Sequence, residues 1–141
     1  MIKTTRTVEG VKVGEALPLL QKTFTTADLV AYGAATWDWH RVHYDVDFAR
    51  GMKLPTVIVD GQTFGALFAR VALDWAGPRA FLVRLSFKMK SMAFAGDTLC
   101  AEGEVLDVRD HTVVLAQRLI GNGRLVAEAT SEVKLPASMA T

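Results

Sequence analysis

The sequence predicts an α+β protein in which an antiparallel sheet wraps around one long central helix. Residues 62–75 are apolar or small on almost every side, which is typical of a helix that lies inside a protein. Residues 83–90 alternate between apolar and polar side chains, the period of a strand with one buried face. The strand-like segments that follow are joined by short turns, which favours antiparallel neighbours. A helix covered by one sheet lets both elements bury an apolar surface.

Length and composition fit one globular domain. The chain has 141 residues, of which 50% are hydrophobic and 22% are charged, so we expect a single domain over residues 1–141 with its core at about 14–136. The formal net charge is +1, which gives no electrostatic reason to expect nucleic acid or a membrane as a partner. Cys100 is the single cysteine. We expect it to be a buried small residue, because one thiol cannot form an internal disulfide.

Nothing in the sequence predicts a targeting signal or a membrane span. The first ten residues lack the apolar region of a signal peptide. The longest apolar stretch, residues 63–76, contains Arg70 and Asp74 and is too short to cross a bilayer. We therefore expect a cytoplasmic protein.

The N-terminal half is predicted to contain a strand, a helix and an ordered loop. Residues 17–24 form the predicted strand. Thr25, followed three residues later by Asp28, matches a capping box, so a helix is predicted to begin there and to continue to about Ala35. Residues 36–44 show neither a helical nor a strand period, which indicates an ordered loop.

Short elements connect this loop to the central helix. Asp45 is the predicted cap of a short helix over residues 46–50 that ends at Gly51. Pro55 precedes a short apolar run at residues 56–59, which ends at the turn-forming pair Asp60-Gly61.

The central helix and four strands complete the chain. The helix is predicted from Gln62 to Trp75, and Gly77-Pro78 stops it. Its apolar stripe consists of Phe64, Leu67, Phe68, Val71 and Trp75. The strands are predicted at about 83–90, 98–107, 112–120 and 124–135, with hairpin connections at 107–111 and 121–123. Because an open sheet has edges, we expect it to pair with a second copy.

The loop at residues 36–44 carries the side chains that are best suited to chemistry. Asp38 and His43 are five residues apart, a spacing at which a carboxylate and an imidazole in a compact loop can both contact one water molecule. The ordinary pKa of histidine, about 6.5, suits proton transfer near neutrality. Gly61 lies where the apolar run turns into the central helix, so its N–H can polarise a ligand carbonyl.

Each of these residues also has a purely structural interpretation. Asp38 can equally cap or end the first helix, and His43 can be a structural histidine. Asp60 is most simply the N-cap of the central helix, and Gly61 can be only a turn glycine. The cationic side chains at positions 84, 88 and 90 are best interpreted as a solvated sheet face, although contact with a coenzyme phosphate is an alternative.

Three motifs in register resemble one known family. Asp38 and His43, with Asp45 two residues further on, match a motif that reads Asp-x-Asn-Pro-x-His followed by an acidic residue. Residues 59–62, Val-Asp-Gly-Gln, match the step that opens the family's central helix, and Leu-Ser-Phe-Lys at 85–88 with Gly-Asp at 96–97 matches a third feature. The likeness extends from about residue 14 to 136. The sequence thus resembles the MaoC-like (R)-specific enoyl-CoA hydratases and hydroxyacyl-thioester dehydratases, which have the hot-dog fold.

The resemblance implies a fold, a reaction and a set of roles. It implies a hydro-lyase that reversibly hydrates a 2-enoyl thioester of coenzyme A or of acyl carrier protein to a 3-hydroxyacyl thioester. Asp38 and His43 would activate the water, and the N–H of Gly61 would bind the thioester oxygen. No separate cofactor or metal is expected, since coenzyme A is part of the substrate. A homodimer or a dimer of dimers is expected, and a heteromer is the alternative.

The departures from the family pattern mark the substrate-binding candidates. His40 and Arg41 stand where the family has Asn and Pro, and their positive charge is compatible with a polar or carboxylated acyl group. Asp60 stands where the family has His, which alters the neighbourhood of the Gly61 N–H. We take these three residues and Gln62 as candidates for substrate contact.

Two other functions remain open from the sequence. Hot-dog thioesterases generally use a carboxylate at or within the central helix, but positions 62–73 contain neither Asp nor Glu. The second alternative is a non-catalytic or heteromeric partner subunit of a hydratase.

Overall fold

A computed structural model describes residues 6–138 of the chain. Two 3-10 helices, three α-helices and five strands are present in this range. In chain order they are a 3-10 helix Val8–Gly10, β1 Leu20–Thr23, α1 Thr26–Thr36, a 3-10 helix Arg41–His43, α2 Val46–Gly51, α3 Gln62–Ala76, β2 Phe81–Met89, β3 Thr98–Arg109, β4 Thr112–Gly121 and β5 Arg124–Lys134.

The five strands form one antiparallel sheet in the order β1-β3-β4-β5-β2. The last three strands, β3, β4 and β5, are joined by two hairpin turns, as the short connections predict. Asn122 and Gly123 both have positive φ, 50° and 71°, which is the conformation of the tight hairpin turns that match strand twist. The last strand, β5, also pairs with β2, so β1 and β2 form the two edges of the sheet.

The central helix α3 packs against the inner face of the sheet. The five residues of the predicted stripe are all buried. At Gly65 a β-carbon would lie 2.7 Å from the ring of Phe87, so glycine allows β2 to approach the helix closely. Gln117 on β4 is also buried and donates a hydrogen bond to the backbone oxygen of Phe68. The sheet therefore holds the helix by packing and by one buried polar contact.

Most predicted elements are confirmed, and their boundaries shift for identifiable reasons. The first strand is shorter than the predicted 17–24, because Pro18 has no N–H to donate to the sheet. The capping box of Thr25 and Asp28 is present, and the backbone N–H of Phe48 donates to Asp45, the predicted cap of α2. No helix in the described part of the chain is long and apolar enough to cross a membrane.

Candidate active site

The site is built between the end of α1 and the beginning of α3. Trp37 ends α1 in the left-handed conformation, with φ of 59°. The next N–H, that of Asp38, donates to the oxygen of Gly33 at 2.9 Å. A β-carbon at position 33 would lie 2.7 Å from the backbone oxygen of Asp38. The glycine therefore allows the chain that carries Asp38 to fold back against α1.

Side chains of the loop hold its backbone in place. Asp38 Oδ1 accepts a hydrogen bond from the N–H of His40 at 3.1 Å. Nδ1 of His40 in turn accepts from the N–H of Val42 at 3.2 Å. Val42 is buried, and its backbone oxygen accepts from the N–H of Ile58. The loop is thus anchored to the segment that leads into α3.

His43 is oriented by the same segment. Its Nδ1 lies 2.9 Å from the backbone oxygen of Ile58. A carbonyl oxygen only accepts hydrogen bonds, so Nδ1 is the donor and carries the hydrogen. In the neutral ring this leaves Nε2 with a free lone pair. The tautomer that can take a proton at Nε2 is therefore the one that the fold selects.

Asp60 lies one residue before the N-cap of α3. Gly61 occupies the N-cap of α3, so the prediction that Asp60 is the N-cap is wrong by one residue. Gly61 has helical dihedral angles, φ −61° and ψ −24°, but no side chain that can cap. Oδ1 of Asp60 instead accepts from the N–H of Gln62 at 2.8 Å. The carboxylate still satisfies one free N–H of the first helical turn.

Asp38, His43 and Asp60 meet in one cluster. One side-chain nitrogen or oxygen of each lies within 4.8 Å of the other two. Asp60 is only 9% exposed, and its Oδ2 is buried without a hydrogen-bond partner within residues 6–138. Two carboxylates and an imidazole at this separation can exchange protons with a small polar ligand, and such a set can also hold a divalent cation. The expectation of no metal stays a prediction.

Tyr32 on α1 forms another wall of the cluster, and the sequence did not single it out as a site residue. It lines a small cavity together with Leu29, Gly33 and the three clustered side chains. Burial raises the pKa of the Tyr32 hydroxyl, and the charge of Asp60 raises it further. The hydroxyl therefore stays protonated. Its signal in the sequence was a phenolic side chain on the apolar side of a helix.

A wider cleft of about 450 Å³ opens beside the cluster. His43, Gly61 and Phe64 lie on one wall, and the segment 89–92 forms the other. The N–H of Gly61 has no hydrogen-bond acceptor in the described part of the chain. His43 and the predicted N–H donor thus share one open space, whereas Asp38 lines the smaller cavity beside Tyr32.

Arg41 points towards α2. Its guanidinium donates to Oδ2 of Asp45 at 3.0 and 2.7 Å and lies 4.6 Å over the ring of Phe48. This pairing and the N–H of Phe48 hold the pKa of the Asp45 carboxyl below its usual value, with the N–H as the larger cause. Neither Arg41 nor Gln62 lines the cleft. Their contact with a substrate stays a prediction, as does that of His40.

Exposed aromatic rings flank the dyad. Trp37 is 80% exposed and packs edge-to-face against Trp39, with ring centroids 5.9 Å apart. Trp39 makes a similar contact with Tyr44 at 6.4 Å. These edge-to-face contacts join three exposed aromatic side chains on the surface of the loop.

Comparison with known proteins identifies the fold and the family. The structure superposes on the (R)-hydratase of Aeromonas caviae with a TM-score of 0.85 and 28% identity, covering 91% of this chain and 99% of that one. It superposes on a chain of the ChsH1–ChsH2 complex from Mycobacterium tuberculosis with a TM-score of 0.84 and 28% identity, covering 88% and 98%. The curled antiparallel sheet around α3 is therefore the hot-dog fold.

The sequence comparisons agree with the structural ones. Residues 9–120 match the model of the MaoC like domain, and the chain belongs to this family. It is 30% identical over 123 residues to the beta subunit of the 3-oxo-4,17-pregnadiene-20-carboxyl-CoA hydratase of M. tuberculosis, covering 87% of this chain and 94% of the relative. It is 28% identical over 132 residues to the (R)-specific enoyl-CoA hydratase of A. caviae, covering 91% and 98%. The resemblance deduced from the three motifs is thus confirmed.

Proposed function

We propose that this protein is a hydro-lyase that adds water to a 2-enoyl thioester and forms the (3R)-hydroxyacyl thioester, and that it also catalyses the reverse reaction. The observation that supports the proposal best is the arrangement of His43. Its Nδ1 is held by the Ile58 oxygen, which leaves Nε2 free, and one nitrogen of the ring lies within 4.8 Å of a carboxylate oxygen of Asp38. The unpaired N–H of Gly61 opens onto the same cleft.

The mechanism that we propose uses one water molecule. Asp38 and His43 bind it, and His43 Nε2 takes a proton as the water oxygen bonds to C3 of the substrate. The electron pair of the C2–C3 double bond moves towards the thioester carbonyl, whose oxygen becomes negatively charged. The N–H of Gly61, at the positive end of α3, stabilises that oxygen. The proton taken up by His43 Nε2 is then delivered to C2 as the thioester carbonyl reforms, so the net change is the addition of one water molecule and the neutral imidazole is restored.

The relatives and the cleft support a class of substrate. One relative is an (R)-specific enoyl-CoA hydratase, and another is the beta subunit of a carboxyl-CoA hydratase. The cleft of about 450 Å³ lies within the range usual for sites that bind small molecules. We propose a coenzyme A or carrier-protein thioester as substrate, no separate cofactor, and action in the cytoplasm.

A second candidate function is that of one subunit in a heteromeric hydratase. The relative with 30% identity is a beta subunit, and one of the structural neighbours comes from a complex of two proteins. The edge strand β2 offers a surface for either assembly, since Phe81 and Val83 are exposed along it. We propose a homodimer or a dimer of dimers, with a heteromer formed through the same edge as the alternative.

A panel of trans-2-enoyl-CoA substrates tests the proposal. It should contain short, long, carboxylated and ring-bearing acyl groups, and should follow loss of the enoyl absorbance and release of free thiol in parallel. We expect enoyl loss without thiol release and a single (3R) product. Thiol release would indicate a thioesterase. A well-folded chain that hydrates no member of the panel would contradict a hydratase that acts alone and favour the heteromeric subunit.

A further inference from the structure

Met89 packs against Gly61, the residue whose N–H the proposed function assigns to the thioester oxygen. A β-carbon added to Gly61 would collide with the sulfur of Met89. Met89 is the last residue of β2, an edge strand. The residue is 63% exposed and lines the cleft. The thioether thus covers the beginning of α3 from the side of the cleft.

The same strand makes a second contact of this kind that shows what is particular about Met89. Phe87 lies two residues earlier on the same face of β2, and its ring rests on Gly65, four residues further along α3. Phe87 is partly buried and packs near Phe68 in the core. Met89 repeats this contact at the cleft, with solvent on one side. One contact is part of the core, and the other lies where a ligand must enter.

The backbone that follows Met89 is anchored. The N–H groups of Lys90 and Ser91 both donate to the oxygen of Val126, at 2.8 and 3.2 Å. The Ser91 hydroxyl donates to the oxygen of Leu125, and the Lys90 ammonium pairs with Glu128 at 2.8 Å. Methionine is unbranched and rotates about three side-chain bonds. The sulfur can therefore swing away from Gly61 while its backbone stays fixed.

We propose that Met89 is a specificity-determining residue, a movable side chain beside Gly61 in the cleft that favours acyl groups unbranched at C2. The inference rests on the proposed function, because it takes the Gly61 N–H as the binding point of the thioester oxygen. C2 is bonded to the carbon that carries this oxygen. A substituent on C2 therefore lies beside the N–H, in the space that Met89 occupies or moves into.

Binding of two isomeric saturated thioesters tests the proposal without turnover. Hexanoyl-CoA and 2-methylpentanoyl-CoA have the same composition and lack the double bond needed for hydration. In the second, one carbon of the main chain is moved to C2 as a branch. We expect the wild-type protein to bind the unbranched isomer about 10-fold more tightly in calorimetry, the usual effect of one misplaced carbon in an apolar site. Met89→Ala should reduce this preference to about 2-fold or less.

Two further variants separate this role from loss of apolar surface. Met92 lines the same cleft and is 53% exposed, so Met92→Ala should keep the preference of the wild-type protein. Met89→Ile keeps the volume but is branched next to the backbone and rotates less freely. It should weaken binding of both isomers, because the side chain can no longer move aside.

The possible outcomes distinguish failure of the role of Met89 from failure of the proposed hydratase activity. An unchanged isomer preference in Met89→Ala, or equal loss of preference in Met92→Ala, would overturn the role of Met89. Thioester binding with the expected preference but without hydration of any enoyl-CoA would overturn the hydratase and leave Met89 as the selecting residue. A wild-type protein that binds neither isomer would overturn both.

Discussion

The sheet with its central helix and the segment between α1 and α3 are held in shape in different ways. In the sheet, one contact is repeated many times, as the buried residues Val113, Leu115 and Leu119 along β4 illustrate. In the segment, single side chains bond to single backbone groups, as Asp38 does with the N–H of His40. Many equivalent contacts determine the fold, whereas a few individual bonds determine the site.

This difference teaches that stability and activity should respond to different substitutions. A change in the sheet or in α3 removes packing that the whole molecule shares. A change in the segment removes one bond or one titratable group and leaves the core intact. The predictions below test how far the two regions are independent, beginning with the largest expected effect.

The dyad should control activity without controlling stability. Asp38→Asn and His43→Ala should each lower kcat for enoyl hydration by about 10²–10⁴-fold, the usual cost of losing a positioned acid or base. Asn keeps an oxygen that can accept from the N–H of His40, so the loop should keep its conformation. The double variant should be little worse than the poorer single variant, because the two groups act on one water molecule. Steady-state kinetics and thermal melts on the same samples measure both effects.

Asp45→Asn is the matched control for the dyad. It removes a carboxylate from the same segment, but one that caps α2 and pairs with Arg41. Its kcat should stay within a few-fold of the wild-type value. If the dyad variants lose activity only as far as they lose folded protein, then Asp38 and His43 have structural roles and the two regions are not independent.

The core should show the opposite behaviour. Phe68 is fully buried on α3, so Phe68→Ala should lower the free energy of unfolding by about 3–5 kcal/mol. Folded molecules of this variant should retain most of their kcat, because Phe68 does not line the cleft. Leu73→Ala on the exposed side of the same helix should change stability by about 0.5 kcal/mol or less. Urea denaturation measures both, and similar losses at the two positions would contradict the assignment of the core.

The same contrast explains what the sequence could predict. The period of the apolar residues carries the fold, so the buried stripe of α3 was predicted correctly. The alternation predicted for β2 holds only at residues 85–88, because a bulge between Leu82 and Arg84 turns Leu82 inward and leaves Val83 exposed. The first strand was predicted too long because the pattern does not record the missing N–H of Pro18. A short apolar run carries too few repeats to outweigh one such residue.

The sequence predicted only the part of the site whose residues are close together in the chain. Asp38 and His43 were expected to act together because they are close in sequence. In the structure a carboxylate oxygen of Asp38 does lie within 4.8 Å of a ring nitrogen of His43. Tyr32 and Met89 come from α1 and from the edge of the sheet, and only tertiary packing brings them to the site. Met89 has the pattern of an ordinary apolar strand position. The phenol of Tyr32 on the apolar side of α1 was the single local signal, and it was too weak to mark a site residue.

The smallest expected effect concerns Asp45 and the pH dependence of stability. The Phe48 N–H, and secondly Arg41, hold the pKa of this carboxyl below the usual 3.8. Because the folded protein favours the charged form, the contribution of Asp45 is present above the unfolded pKa and is lost as pH falls through the folded one. Asp45→Asn keeps an oxygen that can cap α2 but removes the charge, so it should lower Tm slightly at pH 7. Near pH 2 to 3 the difference should shrink.

Asp47→Asn makes the same charge change on the same helix, at a side chain without a hydrogen bond or ion pair within residues 6–138, and should show no such trend. A Tm difference for Asp45→Asn that stays constant down to pH 2 would mean that uncharged capping, rather than the charge, holds this end of the segment.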